Sequence, residues 1–385
     1  MRMIHGRSFV GEDKVARTVR ARFQVIGLGL LLCLALAACT PRPPATGQAG
    51  QPAATPDPAA AAAAAAQFYQ GKTVRVIVGF SAGGGFDVVA RLVGRHLSKH
   101  IPGNPTVVVE NMPGATGIVA SNYVYAAAPK DGLTIEMFPE PALQGQLLNA
   151  EGVQFDGRNF NWLGSTQVQT QLCMARTDSG ISSLQQLLQP GSPQFIVGTT
   201  APGSNTHDFP ATLKGALNAN IRTVSGYPGT ADISLAMDSG EVNGICVPWE
   251  SIKTTHPDWF TGSPPFATIL AQQGKGRHAD LPNIPIAEEV AQTEEQKQLI
   301  RAASSTLAIS KPLALPPGVP AERVAALRLA LENTMKDPEL LADAESTRTD
   351  LSFKPHDQVL AIVREILDTP PSVAQRLKQI LESSI

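Results

Sequence analysis

A glycine run closed by an acid, Gly83-Gly84-Gly85-Phe86-Asp87, carries the clearest chemistry in this sequence. Before it, the β-branched and apolar run Thr73 to Phe80 predicts a buried strand. After it, Val88, Val89, Leu92, Val93, Leu97 and Ile101 form an apolar stripe at helical spacing. Glycine lets backbone N–H groups point into open space, and a helix start carries partial positive charge. Ser81, Gly83, Gly84, Gly85, Phe86 and Asp87 therefore form a candidate anion seat with no basic side chain of its own. The spacing is neither GxGxxG nor GxxxxGK, so no dinucleotide or P-loop fingerprint is present. A tight strand–helix turn without a ligand has the same sequence. Asp87 can fix a bridging water or a ligand hydroxyl, or simply place a favourable charge in the first helical turn.

The same order of strand, small-residue loop and helix returns. Strand Thr106 to Glu110 leads into Pro113-Gly114-Ala115-Thr116-Gly117 and a helix over Ile118 to Ala128. Strand Leu133 to Phe138 leads into Pro139-Glu140-Pro141 and a short helix. Strand Phe195 to Thr200 precedes Gly203-Ser204-Asn205-Thr206, where Ser204 or Asn205 suits a helix N-cap. Strand Ile221 to Ser225 precedes Gly226-Tyr227-Pro228-Gly229-Thr230, and strand Glu241 to Val247 ends at Pro248-Trp249-Glu250. Strands alternating with helices imply right-handed crossovers and mainly parallel sheets, whose ligands collect beyond the strands' carboxyl ends. Candidate contacts at that edge are Gly114, Ala115, Thr116, Glu140, Gly203, Ser204, Asn205, Thr206, Tyr227, Gly229, Thr230 and Trp249. Tyr227 walls the cleft or merely packs, and Trp249 suits core or rim more than ligand. Arg91, a turn beyond Asp87, suits a structural ion pair. These loops hold almost no Lys or Arg, so a carboxylate there relies on backbone N–H groups, hydroxyls and water.

Composition narrows the function. The chain has 385 residues, 43% hydrophobic and 17% charged, with a net charge of −2 and few aromatics. That balance gives no electrostatic footprint or stacking platform for nucleic acid. The seven histidines form no H-E-x-x-H pattern, so neither a metal nor another cofactor is expected. Ser204 beside His207-Asp208 raises a secreted hydrolase as a rival reading. No G-x-S-x-G elbow accompanies it, and triad members normally converge from separate segments. Catalysis is therefore not expected.

At the start of the chain Arg17, Arg20 and Arg22 precede an apolar run from Val25 to Ala38, which reads as a signal peptide over 1–38. The run ends in Leu36-Ala37-Ala38-Cys39, which resembles the lipobox of bacterial lipoproteins. That resemblance implies cleavage before Cys39, lipid attachment to it, and a periplasmic protein tethered to a membrane. A Pro- and Ala-rich linker over 39–67 follows, unable to build a core. Export also reaches an oxidising compartment, where Cys173 and Cys246 either pair or remain two buried thiols.

Several ordered stretches together resemble the periplasmic receptors of tripartite tricarboxylate transporters, the TctC or Bug family. They are Val76-Ile77-Val78 with Gly83 to Asp87 and Ala90-Arg91; Val107 to Asn111 with Pro113-Gly114-Ala115; Ala128 to Gly132; Gly226 to Gly229; and Pro316-Pro317-Gly318-Val319-Pro320. Phe86 stands where the family usually carries a small polar residue, and Tyr227-Pro228 departs from the commoner proline-tyrosine-lysine form. The resemblance implies a two-lobed periplasmic binding protein of the Venus-flytrap, type II-like kind. Lobe 1 is expected over 68–171 and 300–385, and lobe 2 over 172–299. The implied function is capture of a small carboxylate for the membrane permease subunits of a tripartite tricarboxylate-type transporter. A sensory lipoprotein that presents its ligand to a sensor kinase is the alternative partner.

Overall fold

A computed structural model of the chain describes residues 58–274 and 276–383. The expected signal peptide, Cys39 and the linker up to residue 57 lie outside the described residues. The helices are α1 Pro58–Tyr69, α2 Gly85–Leu97, α3 Ile118–Asn122, α4 Glu140–Leu147, α5 Asn205–Leu217, α6 Thr230–Ser239, α7 Trp249–Thr255, α8 Ala287–Val290, α9 Glu294–Ser304, α10 Ala321–Met335, α11 Pro338–Ser346, α12 His356–Leu367 and α13 Pro371–Glu382. The strands are β1 Thr73–Val78, β2 Thr106–Asn111, β3 Thr134–Met137, β4 Asn161–Gln167, β5 Gln171–Arg176, β6 Phe195–Thr199, β7 Ile221–Ser225, β8 Gly244–Pro248, β9 Ala267–Gln273, β10 Ser310–Leu315 and β11 Lys354–Pro355.

Two helix-flanked sheets form two α/β lobes. The first has the order β11-β4-β10-β3-β1-β2 and the second β7-β6-β8-β5-β9. Each sheet is mixed. β1 pairs parallel with β2 and β3, and β6 pairs parallel with β7 and β8. β10 and β5 each run antiparallel to both of their neighbours. The reason is the route of the chain, because β4 hands over to β5 across three residues and β10 returns from the second lobe. Strands that enter from the far end cannot continue a βαβ series.

Three sequence expectations change. The linker expected to reach residue 67 gives way to α1, since alanine has the highest helix propensity and the helix ends in apolar anchors. Ala65 and Tyr69 are buried in the first lobe's core, and the Tyr69 hydroxyl donates to Gly132 O at 3.3 Å. The last helix, expected with lobe 1, lays Val373, Leu377 and Ile380 into the second lobe's core beside Phe209, Leu213 and Leu299. Its apolar stripe matches the gap between α5 and α9. Strand β9 and helices α8 and α9 were not foreseen.

Cys173 on β5 faces Cys246 on β8 in register, and the two form a disulfide. A cross-link spanning 73 residues contributes on the order of 2–4 kcal/mol, mainly by restricting the unfolded chain.

Candidate functional site

Strand direction decides where the loops meet. Loop 81–87 leaves the C-terminal end of β1, and loop 113–117 leaves that of β2 beside it. β10 runs antiparallel to β3, so its first residues, Ser310 and Lys311, stand at this same edge with Gln167 at the end of β4. In the second lobe, loops 201–204 and 226–229 leave the parallel strands β6 and β7 together.

The first loop is fastened by Asp87 rather than left open to a ligand. Its carboxylate is 3% exposed, and both oxygens accept protein donors. Gly83 N donates to Oδ2 at 2.8 Å, Arg91 Nε to Oδ2 at 2.9 Å, and Asn111 Nδ2 to Oδ1 at 2.9 Å. The Arg91 guanidinium, then the Gly83 and Asn111 donors, hold this carboxyl down to about 2. The expected ligand contact by Asp87 is therefore replaced by a structural one, and the structural ion pair expected of Arg91 is made with Asp87. Gly83 needs its glycine, at φ +82; Gly84 is extended at φ −76. With Gly83 N taken, the first-turn N–H groups of Gly85 and Phe86 are the donors that α2 offers. The Phe86 ring packs on Phe80 at 4.4 Å between centroids.

The second lobe repeats the device. Gly203, at φ +85, donates its N–H to Asp208 Oδ1 at 3.1 Å. Thr206 is buried, and its hydroxyl bonds Thr200 Oγ1 at 2.7 Å. Ser204 stands at the N-cap without capping, because its hydroxyl donates to Ala201 O at 2.6 Å. Asn205 is exposed at the start of α5.

Loop 113–117 holds a run of left-handed backbone. Gly114, Ala115, Thr116 and Gly117 all have positive φ, at 149°, 46°, 54° and 90°. A β-branched residue at φ +54 is an outlier, and such strain gathers where a chain is held for function. Turns of this kind gather successive N–H groups into an anion-sized hollow. Gly117 N already donates to Gly114 O at 2.9 Å, which leaves the N–H groups of Ala115 and Thr116 without an acceptor inside the turn.

Thr116 and Gln144 from the first lobe share a pocket of about 490 Å³ with Pro202, Gly203 and Asp208 from the second and Lys378 of α13. The structure thus brings loops 113–117 and 201–204 together across one cleft. Gln144 was not foreseen; its Nε2 is buried with no protein partner. A glutamine inside a short helix carries no signal of its own in sequence.

Three expected contacts fall elsewhere. Trp249 is 9% exposed, packs on Phe260, and donates its indole N–H to Asp280 at 2.9 Å, so it is core. Tyr227 spends its hydroxyl on Glu241 at 2.6 Å and packs against the second lobe's core, with Gly229 and the exposed Thr230 following at the α6 start. Glu140 is buried and accepts from Ser310 Oγ at 2.9 Å and Lys311 N at 3.2 Å, which ties α4 to the start of β10. Burial pushes its carboxyl up. Away from the cleft, His96, Asp337 and Glu339 come together, but Lys99 already bridges the two acids at 2.6 and 2.8 Å.

Two α/β lobes joined by crossing strands, with strand-end loops from each meeting at a cleft, define a bilobed solute-binding fold. The chain belongs to the tripartite tricarboxylate transporter family receptors, whose family model matches residues 89–369. A UPF0065 protein of Bordetella bronchiseptica is 26% identical over 237 residues, which cover 58% of this chain and 64% of that relative. The chain thus spans about 64% of that relative's length. Among solved structures, a TctC solute binding protein from Polaromonas has a TM-score of 0.61 at 18% identity, covering 82% of this chain and 99% of its own. The R. palustris protein Rpa4515, solved with adipate, has a TM-score of 0.55 at 19% identity, covering 80% and 97%.

Proposed function

We propose that the chain is an extracytoplasmic receptor that captures a small carboxylate between its lobes and delivers it to a tripartite tricarboxylate-type permease, without catalysing a reaction. The observation that carries this reading is the strained loop 114–117, which faces the α5 loop across the shared pocket. Adipate in the Rpa4515 structure supports the ligand class. A hydrolase reading has no support in the loop chemistry. The Ser204 proton goes to Ala201 O, and His207 is fully buried with Nδ1 against Asp208 at 2.9 Å. Closure follows from contacts on both lobes, because such a ligand binds the closed state better than the open one.

A thermal-shift panel of mono-, di- and tricarboxylates, adipate included, tests the reading. A ligand at about a hundred times its dissociation constant adds about 2.7 kcal/mol of stability. At least one di- or tricarboxylate should raise the melting temperature and give matching heat in calorimetric titration. No shift and no heat from any member would refute carboxylate capture.

The proposed tether is tested separately. Cys39→Ser in the full chain should move the protein out of the membrane fraction or block its processing. A substituted protein that is processed and fractionates like the parent rules the lipid anchor out.

A further inference from the structure

The loops looked free of basic side chains, yet the fold brings a cation to them from a distant strand. Lys311, at the start of β10, is 6% exposed and has φ +51. Its ammonium lies 5.3 Å from the centre of the Phe86 ring. Its Cε is 4.0 Å from where a Cβ on Gly85 would stand. So a buried ammonium sits against the first two residues of α2, whose N–H groups have no intrahelical acceptor.

This ammonium is incompletely compensated. Among the described residues its one hydrogen bond goes to the neutral amide oxygen Gln167 Oε1. Among the described residues it forms no ion pair with any carboxylate. Glu140 and Glu250 act on it only at longer range, and burial pushes both of those carboxyls up. Burial pushes Lys311 itself down. A buried ammonium with two unused donors is costly, and a ring face offsets only part of that. The left-handed backbone adds a second cost at the same residue. Both costs fall at the strand-end edge of the first sheet, beside the donors of α2, where a carboxylate would remove the first of them.

We infer that Lys311 is the charge partner of the bound carboxylate, which sits between its ammonium and the Gly85 and Phe86 N–H groups. The inference rests on the carboxylate reading above. It also gives Phe86 a role, since its ring holds the ammonium in place while the cleft is empty.

Calorimetric titration with succinate, glutarate and adipate identifies the tightest of the three for the unmodified chain. Lys311→Met should weaken that ligand about tenfold to a hundredfold, the range of a lost charge-assisted hydrogen bond. Its melting temperature without ligand should stay level or rise, because an uncompensated buried charge is gone. A structural role for Lys311 would lower both quantities together. In the unmodified chain labelled with 15N-lysine, one slowly exchanging ammonium signal should move when the ligand is added. Affinity within threefold of the parent overturns the inference while carboxylate capture stands. If the variant does not fold, the labelled parent decides, and a spectrum in which no ammonium signal moves overturns it. If the parent binds none of the three diacids, the inference falls with the capture of small diacids.

Discussion

Raising the pH from about 5 to about 8.5 should cost the folded chain roughly 3–5 kcal/mol through Glu136 alone, and Glu136→Gln should remove that part of the loss. Glu136 is fully buried on β3. Its register neighbours are Ile77 on β1 and Ala314 on β10, both members of the first lobe's apolar core. Oε1 accepts from Ser121 Oγ at 2.7 Å, while Oε2 is buried with no partner. Burial therefore pushes this carboxyl up from 4.5 to about 8, against the small opposing effect of Ser121. The folded state then keeps a proton that the unfolded state loses above about 4.5. The favourable contribution is complete below that pH and is lost as pH rises through about 8, at about 1.4 kcal/mol per pH unit. Carboxyls held low by their partners, such as Asp87, lose their contribution only on acidification toward about 2, so the two effects occupy separate windows. Glutamine mimics the protonated acid. Urea unfolding of parent and Glu136→Gln should give similar stabilities near pH 5 and a more stable variant near pH 8.5. The buried carboxyls of Glu140 and Glu250, also pushed up, are common to both proteins and cancel in the difference. Parallel stability curves across that range would show that Glu136 is not the group responsible.

What could be read from the sequence was whatever rests on local chemistry. The Gly-rich run at residues 81–87 and Gly203 in loop 201–204 announced strand–helix turns because glycine tolerates φ near +85 there. The ordered motifs carried the family. Pairings across long separations could not be read. Lys311 is 225 residues from Phe86 in number, and only the antiparallel return of β10 beside β3 brings them together. The disulfide stayed open for the same reason, since it depends on the register of β5 against β8. Asp87 misled because a carboxylate beside a glycine loop reads equally as ligand contact or as latch. Three donors converging on it from Gly83, Arg91 and Asn111 make it a latch. Trp249, read as core or rim, could not be placed from its position at a strand end; Asp280, which satisfies its indole N–H, puts it in the core. Strand β9 escaped notice because its apolar run is short and ends in two glutamines.

Gly117→Ala should cost the fold roughly 2–5 kcal/mol and weaken carboxylate binding at least tenfold, while Gly83→Ala should cost only about 1–2 kcal/mol and leave affinity within threefold. Both glycines adopt left-handed backbone, at φ +90 and +82, so each substitution pays a similar local penalty. They differ in the space around them. A Cβ on Gly83 would meet nothing within 4 Å, whereas one on Gly117 would lie 2.3 Å from Pro139 Cγ and 2.6 Å from Pro139 Cβ. Backbone crowds Gly117 from the other side too, because a Cβ built on Gly79 would stand 2.8 Å from its Cα. Neither a proline ring nor the end of β1 can swing away as a flexible side chain would. The turn itself must shift, and it carries the Ala115 and Thr116 N–H groups that have no acceptor inside the turn. Gly83 N is already committed to Asp87, so moving it does not disturb a ligand donor directly. Urea unfolding and calorimetric titration on the two variants separate the cases, using the tightest carboxylate of the panel. Gly117→Ala that still folds and binds like the parent would remove loop 114–117 from the site and leave the anion to α2, α5 and Lys311.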